Sequence, residues 1–166
     1  MKQCKSEKIL ELFFEFPMKK FTLREISKLT KIPRATVHRK ILNLKQQQLI
    51  TKDNQASDNL SFKTRKINYF IEKIVDSGLI QDLINSLNPS CIILFGSVRK
   101  GDSVKESDID IFVEAPLKKK INLKKYEKKL NHKIQLFIEF NMDKLQSNLF
   151  NNVVNGIKLY GSFKIK

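Results

Sequence analysis

Cysteine is nearly absent from this chain. Only Cys4 and Cys91 occur, far apart and without metal-ligand spacing, which excludes a disulfide framework and a zinc module. Both are expected as reduced thiols of a cytoplasmic protein, with Cys91 a small core residue. Histidine is as scarce. His38 and His132 each lack a neighbouring ligand, so neither marks a metal site. No apolar run reaches membrane-spanning length, and the N-terminus has no signal-peptide core, so no membrane partner is expected. Acidic residues are outnumbered: 17 Asp and Glu face 32 Lys and Arg, for a net charge of +15 and a pI near 9.8. A polyanionic partner follows from that excess, which falls mainly on residues 1–66.

What is present begins with material for a core. Hydrophobic residues make up 41% of the 166, with 12 Phe, enough for one domain or two small ones. The short apolar run Ile92–Phe95 stops at Gly96-Ser97 and reads as a buried strand ending in a tight turn. Residues 108–114 alternate. Asp108, Asp110, Phe112 and Glu114 take one face, and Ile109, Ile111 and Val113 the other. In a strand, Asp108 and Asp110 project side by side, roughly 6.6 Å apart. Two such carboxylates repel each other, and a hard divalent cation relieves the conflict. Mg²⁺ accepts one or two carboxylates together with phosphate oxygens and water. Gly96 leaves room for close backbone approach, and Ser97 offers a hydroxyl and an amide to a phosphate. Phosphate grip plus paired Asp is the equipment of metal-assisted nucleotide chemistry.

Gly96-Ser97, ten intervening residues, then Asp108-Ile109-Asp110 resembles the signature of the DNA polymerase β nucleotidyltransferase superfamily. The stretch LFGSVRKGDSVKESDIDIFVE is similar to its minimal branch almost throughout. The resemblance implies catalytic, metal-holding Asp108 and Asp110. It also implies a nucleotide site of Gly96, Ser97, Lys100 and Ser107, taking Mg²⁺ or Mn²⁺ and an NTP, with ATP the expected one. It further implies a third carboxylate on the next strand, where this chain has Gln135. Gln135 is neutral and neither accepts a proton from a hydroxyl nor adds charge for a metal. Glu139 shares its face but lies about 13 Å further along the strand, and Glu114 is similarly distant from Asp110.

The N-terminal part has a different pattern. Residues 6–16 carry a helical apolar face ended by Pro17, and Thr22 with Glu25 forms a capping box for a second helix with Leu23, Ile26 and Leu29 inward. Pro33 opens a third helix to about Gln47, with Val37, Ile41 and Leu44 inward and Arg34, His38 and Arg39 outward. This is a helix-turn-helix pattern. IPRATVHRKILNLKQQQLI resembles the recognition helix and following strand of winged helix-turn-helix regulators, implying DNA contacts from Arg34, Thr36, His38, Arg39 and Lys40. The expected wing strands are Leu49–Thr51 and Ser61–Thr64, with a polar tip between.

The expected organisation is therefore a winged helix-turn-helix over residues 1–66, a helical joint over 67–88 and a minimal nucleotidyltransferase domain over 89–166. The fold class is α+β, mixed α/β, with a small mixed sheet in the polymerase-β-like domain. NNVVNGIKLYGS also resembles the end of archaeal-type proteins that join these modules. After the paired Asp, a Lys-rich helix buries Leu123, Tyr126 and Leu130, then come a strand over 133–140, a helix over 143–154 and a last strand over 156–160. The expected partners are double-stranded DNA, nucleotide and an RNA or protein acceptor, with a homodimer left open. Two functions stay open: nucleotidyl transfer from an NTP, or a DNA-binding regulator whose nucleotidyltransferase module binds nucleotide or mediates assembly without turnover.

Overall fold

The computed structural model describes residues 5–116 and 119–164, so Cys4 and Lys118 lie outside the described residues. The chain divides into two compact units, Met1–Lys66 and Ile67–Lys166.

The first unit holds α1 (Lys5–Glu15), α2 (Leu23–Thr30) and α3 (Arg34–Gln46). Thr22 caps α2 as its sequence requires. Its side chain accepts the Glu25 N–H at 3.2 Å while the Glu25 carboxylate accepts the Thr22 N–H at 2.8 Å. Such a cap stabilises by about 1 kcal/mol. Lys31 then turns the chain in the left-handed region at φ 58°, and Pro33 precedes α3. Val37, Ile41 and Leu44 are buried with Ile9, Phe13 and Ile26, each contributing roughly 1.5–3 kcal/mol of burial. Leu29 departs from expectation. It is 54% exposed, and Thr30 is the buried residue near the end of α2, its hydroxyl donating to the Ile26 carbonyl at 2.6 Å.

The expected second wing strand is a correction. Ser61–Thr64 lie inside α4 (Leu60–Asp76), and Ile50 instead forms a single antiparallel bridge with Ala56. Asn59 explains the change. Its side-chain oxygen accepts the Phe62 N–H at 2.8 Å, and its amide donates to the Gln48 carbonyl at 2.7 Å, so a helix starts where a strand was expected.

In the second unit, α4 ends at Asp76 and Gly78, at φ 85°, leads into α5 (Leu79–Leu87). Then come β1 (Cys91–Phe95), α6 (Gly96–Lys100), β2 (Ile109–Glu114), α7 (Lys124–Leu130), β3 (Ile134–Glu139), a 3₁₀ turn (Met142–Lys144), α8 (Ser147–Val154) and β4 (Ile157–Gly161). The sheet order is β3-β2-β1-β4. β2 pairs antiparallel with β1 and parallel with β3, and β1 pairs antiparallel with β4. The sheet is thus small and mixed.

Both faces of the sheet are covered, which is why β1 is apolar throughout. Ile92, Leu94, Ile109, Ile111 and Val113 pack with Phe70, Ile74, Leu79, Leu83, Leu87, Tyr126 and Leu130. Cys91, Ile93, Phe95 and Phe112 pack with Met142 and Val153 on the other side. The segment expected as a joint therefore supplies core to this unit. Burial pushes the Cys91 thiol up to about 11, so it stays protonated at neutral pH. The helix expected over 143–154 is split, because residues 145–146 are extended between the 3₁₀ turn and α8.

Candidate functional site

The alternation in residues 108–114 places the two acids where the strands converge. Asp110 lies in β2 between Phe95 of β1 and Gln135 of β3. Asp108 immediately precedes β2 and is half-buried, like Asp110. Burial, with the Asp108 carboxylate beside it, raises the Asp110 pKa above the ordinary carboxylate value.

Gly96 begins α6 directly against Asp110. Its φ is 73°, and a β-carbon there would overlap the Asp110 Oδ2 atom. Only glycine satisfies both conditions without strain. Ser97 follows, half-buried, and its carbonyl accepts the Asp102 N–H at 3.0 Å as the turn closes. Lys100 is exposed at the end of α6, before Gly101 in the left-handed region.

Ser107 is committed to local structure. Its Oγ accepts the Val104 N–H and its own N–H donates to the Val104 carbonyl, both at 2.9 Å. The Ser107 carbonyl accepts from His132 Nδ1 at 2.8 Å. His132 is buried and packs edge-on against Phe70, with ring centroids 5.3 Å apart. Read as an isolated residue from sequence, it instead braces the residue preceding Asp108. The separation of 25 positions hides that contact from any local pattern.

Gln135 occupies the position opposite Asp110, and its Nε2 donates to Asp108 Oδ2 at 2.9 Å. Glu114, the other acid on the face, is spoken for. It accepts from Ser90 Oγ at 2.7 Å and from the Met142 N–H at 3.0 Å. Glu139 lies opposite Glu114, at the far end of β3. A cavity of about 330 Å³ opens at that far end, lined by Ser90, Glu114, Asn141 and Asp143 among others, away from the paired Asp.

Among the described residues no group of three His, Cys, Asp or Glu is arranged to hold a metal. Asp108 and Asp110 nevertheless suit a hard divalent cation: both offer oxygen, and burial together with the neighbouring Asp108 carboxylate disfavours a bare charge on Asp110. Water and phosphate oxygens would complete the coordination, as is usual for Mg²⁺.

The Lys-rich face of α7 is less open than its sequence implies. Lys124, Lys125, Lys128 and Lys129 are all exposed, but Lys125 donates to Asp82 and Lys129 to the Ser77 carbonyl, each at 2.8 Å. In the first unit, Arg34, His38 and Arg39 are exposed along α3, with Thr36 and Lys40 half-buried.

Residues 78–159 match the family model described as nucleotidyltransferase domain, a span from the start of α5 into β4 that contains every residue of the paired-Asp site. The match supports a nucleotidyltransferase domain in the C-terminal unit, and with it nucleotidyl transfer as a general function. No curated protein and no solved structure matches the chain. Among the described residues no helix is long and apolar enough to cross a membrane.

Proposed function

We propose that the C-terminal unit is a Mg²⁺- or Mn²⁺-dependent nucleotidyltransferase site using an NTP, with ATP the expected substrate. The approach of Gly96 to Asp110 carries the proposal, since it sets the Gly96-Ser97 turn directly against one of the paired carboxylates. Asp108 and Asp110 hold the cation, which neutralises phosphate charge and polarises the phosphorus centre when bound. Gly96 and Ser97 cradle the β- and γ-phosphates, and Lys100 at the end of α6 adds positive charge. An acceptor hydroxyl attacks the α-phosphorus, its oxygen–phosphorus bond forms as the bond to pyrophosphate breaks, and its proton leaves to solvent or to a group on the acceptor. The acceptor is an RNA or a protein.

The Gln135–Asp108 hydrogen bond favours a second reading, in which nucleotide binds with little turnover, because an amide that takes no proton from the acceptor stands where the resemblance implies a third carboxylate. Ser97 and Asp110 remain suited to binding in both cases.

For the first unit we propose duplex DNA binding by a helix-turn-helix, α2 and α3, with Arg34, Thr36, His38, Arg39 and Lys40 toward the groove and phosphates. Its support is the exposed basic side of α3 in a unit of high positive charge. The two-stranded wing is not part of the proposal. Purified protein incubated with labelled NTPs, Mg²⁺ or Mn²⁺ and cell extract tests the transferase. Absence of metal-dependent nucleotide binding would sink both versions of the C-terminal site.

A further inference from the structure

The Ile109↔Ile134 pair that opens the parallel ladder is held by the Lys133 carbonyl, which accepts the Ile109 N–H at 2.9 Å, so the Lys133 backbone lies against the start of β2. Strand alternation therefore reaches Lys133. Its neighbours His132 and Ile134 are buried and Lys133 is exposed, so its side chain leaves on the opposite face from theirs. Gln135, two residues on, points to that same face and meets Asp108 there. Lys133 thus stands on the side of the site away from β1, one register step before Ile109↔Ile134, alongside Asp108. It makes no ion pair among the described residues.

Charge on the two flanks is therefore unequal. The β1 flank has the Gly96-Ser97 turn, whereas the β3 flank has a neutral amide and an ammonium where a second cation would need a carboxylate. Two ions roughly 3.5–4 Å apart require enough negative charge to offset their mutual repulsion. Asp108 and Asp110 supply two charges, and Asp108 already accepts a hydrogen bond from Gln135.

We propose that this site holds one divalent cation and that the Lys133 ammonium, on the β3 flank, stands in for a second cation at the phosphates of the bound nucleoside triphosphate. It rests on the metal–nucleotide site proposed above. A lysine suits this role because it presents a compact point charge with three donors to phosphate oxygens.

The test titrates the full chain with Mn²⁺ and a non-hydrolysable α,β-methylene ATP analogue, counting bound ions by electron paramagnetic resonance. One Mn²⁺ per wild-type chain is expected at saturation, and two in Gln135→Asp. Lys133→Ala should weaken the analogue about tenfold or more, the loss of one charge-assisted hydrogen bond to phosphate. Lys133→Arg should keep most of the affinity, and Mn²⁺ binding without nucleotide should not weaken in Lys133→Ala. Because Lys133 is exposed, circular dichroism and melting of the variant should match the wild type. Two ions in the wild type, one ion still in Gln135→Asp, or wild-type analogue affinity in Lys133→Ala would overturn the proposal and leave the underlying site standing. If the analogue does not bind, or binds regardless of Asp108→Asn with Asp110→Asn, the site itself is wrong and this inference falls with it.

Discussion

Gln135 Nε2 donates to Asp108 Oδ2 at 2.9 Å, across a parallel pair of strands in which Gln135 lies opposite Asp110. A residue one position from either register would point to the other face of the sheet. The amide thus holds Asp108 from the register position opposite Asp110, but it cannot add charge or take a proton.

That relationship leads to the first expected outcome. Gln135→Asp should increase labelled nucleotidyl transfer over a weak or absent wild-type level, with triphosphate affinity largely kept. General-base catalysis is typically worth about 10²–10⁴-fold, which sets the scale of the gain. Strong wild-type transfer that the substitution leaves unchanged or lowers would mean that another group completes the site.

Asp110 makes a pH-dependent prediction. Its folded pKa is raised by burial and by Asp108, so the native state holds this proton more tightly than the unfolded chain does. Stability is favoured below the ordinary carboxylate range and falls as pH rises through the raised value. Without metal, Asp110→Asn should therefore be more stable than the wild type at neutral pH, and the difference should shrink in acid. Urea unfolding in EDTA across pH measures it. A less stable variant at neutral pH would contradict the raised pKa.

Asp110→Asn together with Asp108→Asn should also abolish the metal-dependent part of the melting-temperature rise caused by NTP. Ligand at about 100 times its Kd stabilises by about 2.7 kcal/mol, enough to read in a thermal scan. An unchanged shift in the double variant would place the metal elsewhere.

Gly96→Ala combines a strained φ with overlap on Asp110 Oδ2. The left-handed conformation alone costs about 1–3 kcal/mol for a residue with a β-carbon. Lower stability in urea and loss of the nucleotide-dependent shift are both expected. Retention of full nucleotide affinity would show that the close approach is not needed for binding.

On α3, Arg34→Ala and Arg39→Ala should each weaken duplex binding by about 1–3 kcal/mol if the side chain reads a base edge. A phosphate contact would instead lower affinity evenly across sequences and flatten the salt dependence. Wild-type protein without salt-sensitive duplex binding would remove the DNA-binding half of the function.

Local information was enough wherever a pattern repeats along the chain. The Thr22–Glu25 box, the Val37–Ile41–Leu44 stripe and the alternation from Asp108 to Glu114 each depend on neighbours within one element, and each folds as its spacing requires. The paired Asp and the Gly96-Ser97 turn were legible for the same reason. Ser61–Thr64 reads as strand in isolation because a four-residue window says little, and the Asn59 cap that starts α4 lies just outside it.

Tertiary structure decided what no window holds. The contacts of Lys125 with Asp82 and of Lys129 with the Ser77 carbonyl, and the His132 brace on Ser107, all depend on partners far away in sequence. The role of Gln135 is the clearest case. Sequence placed a neutral residue where an acid was implied, but only the parallel register of β2 and β3 put its amide on Asp108. Side-chain period is a property of one strand, whereas register is set by how two strands pack on a shared core.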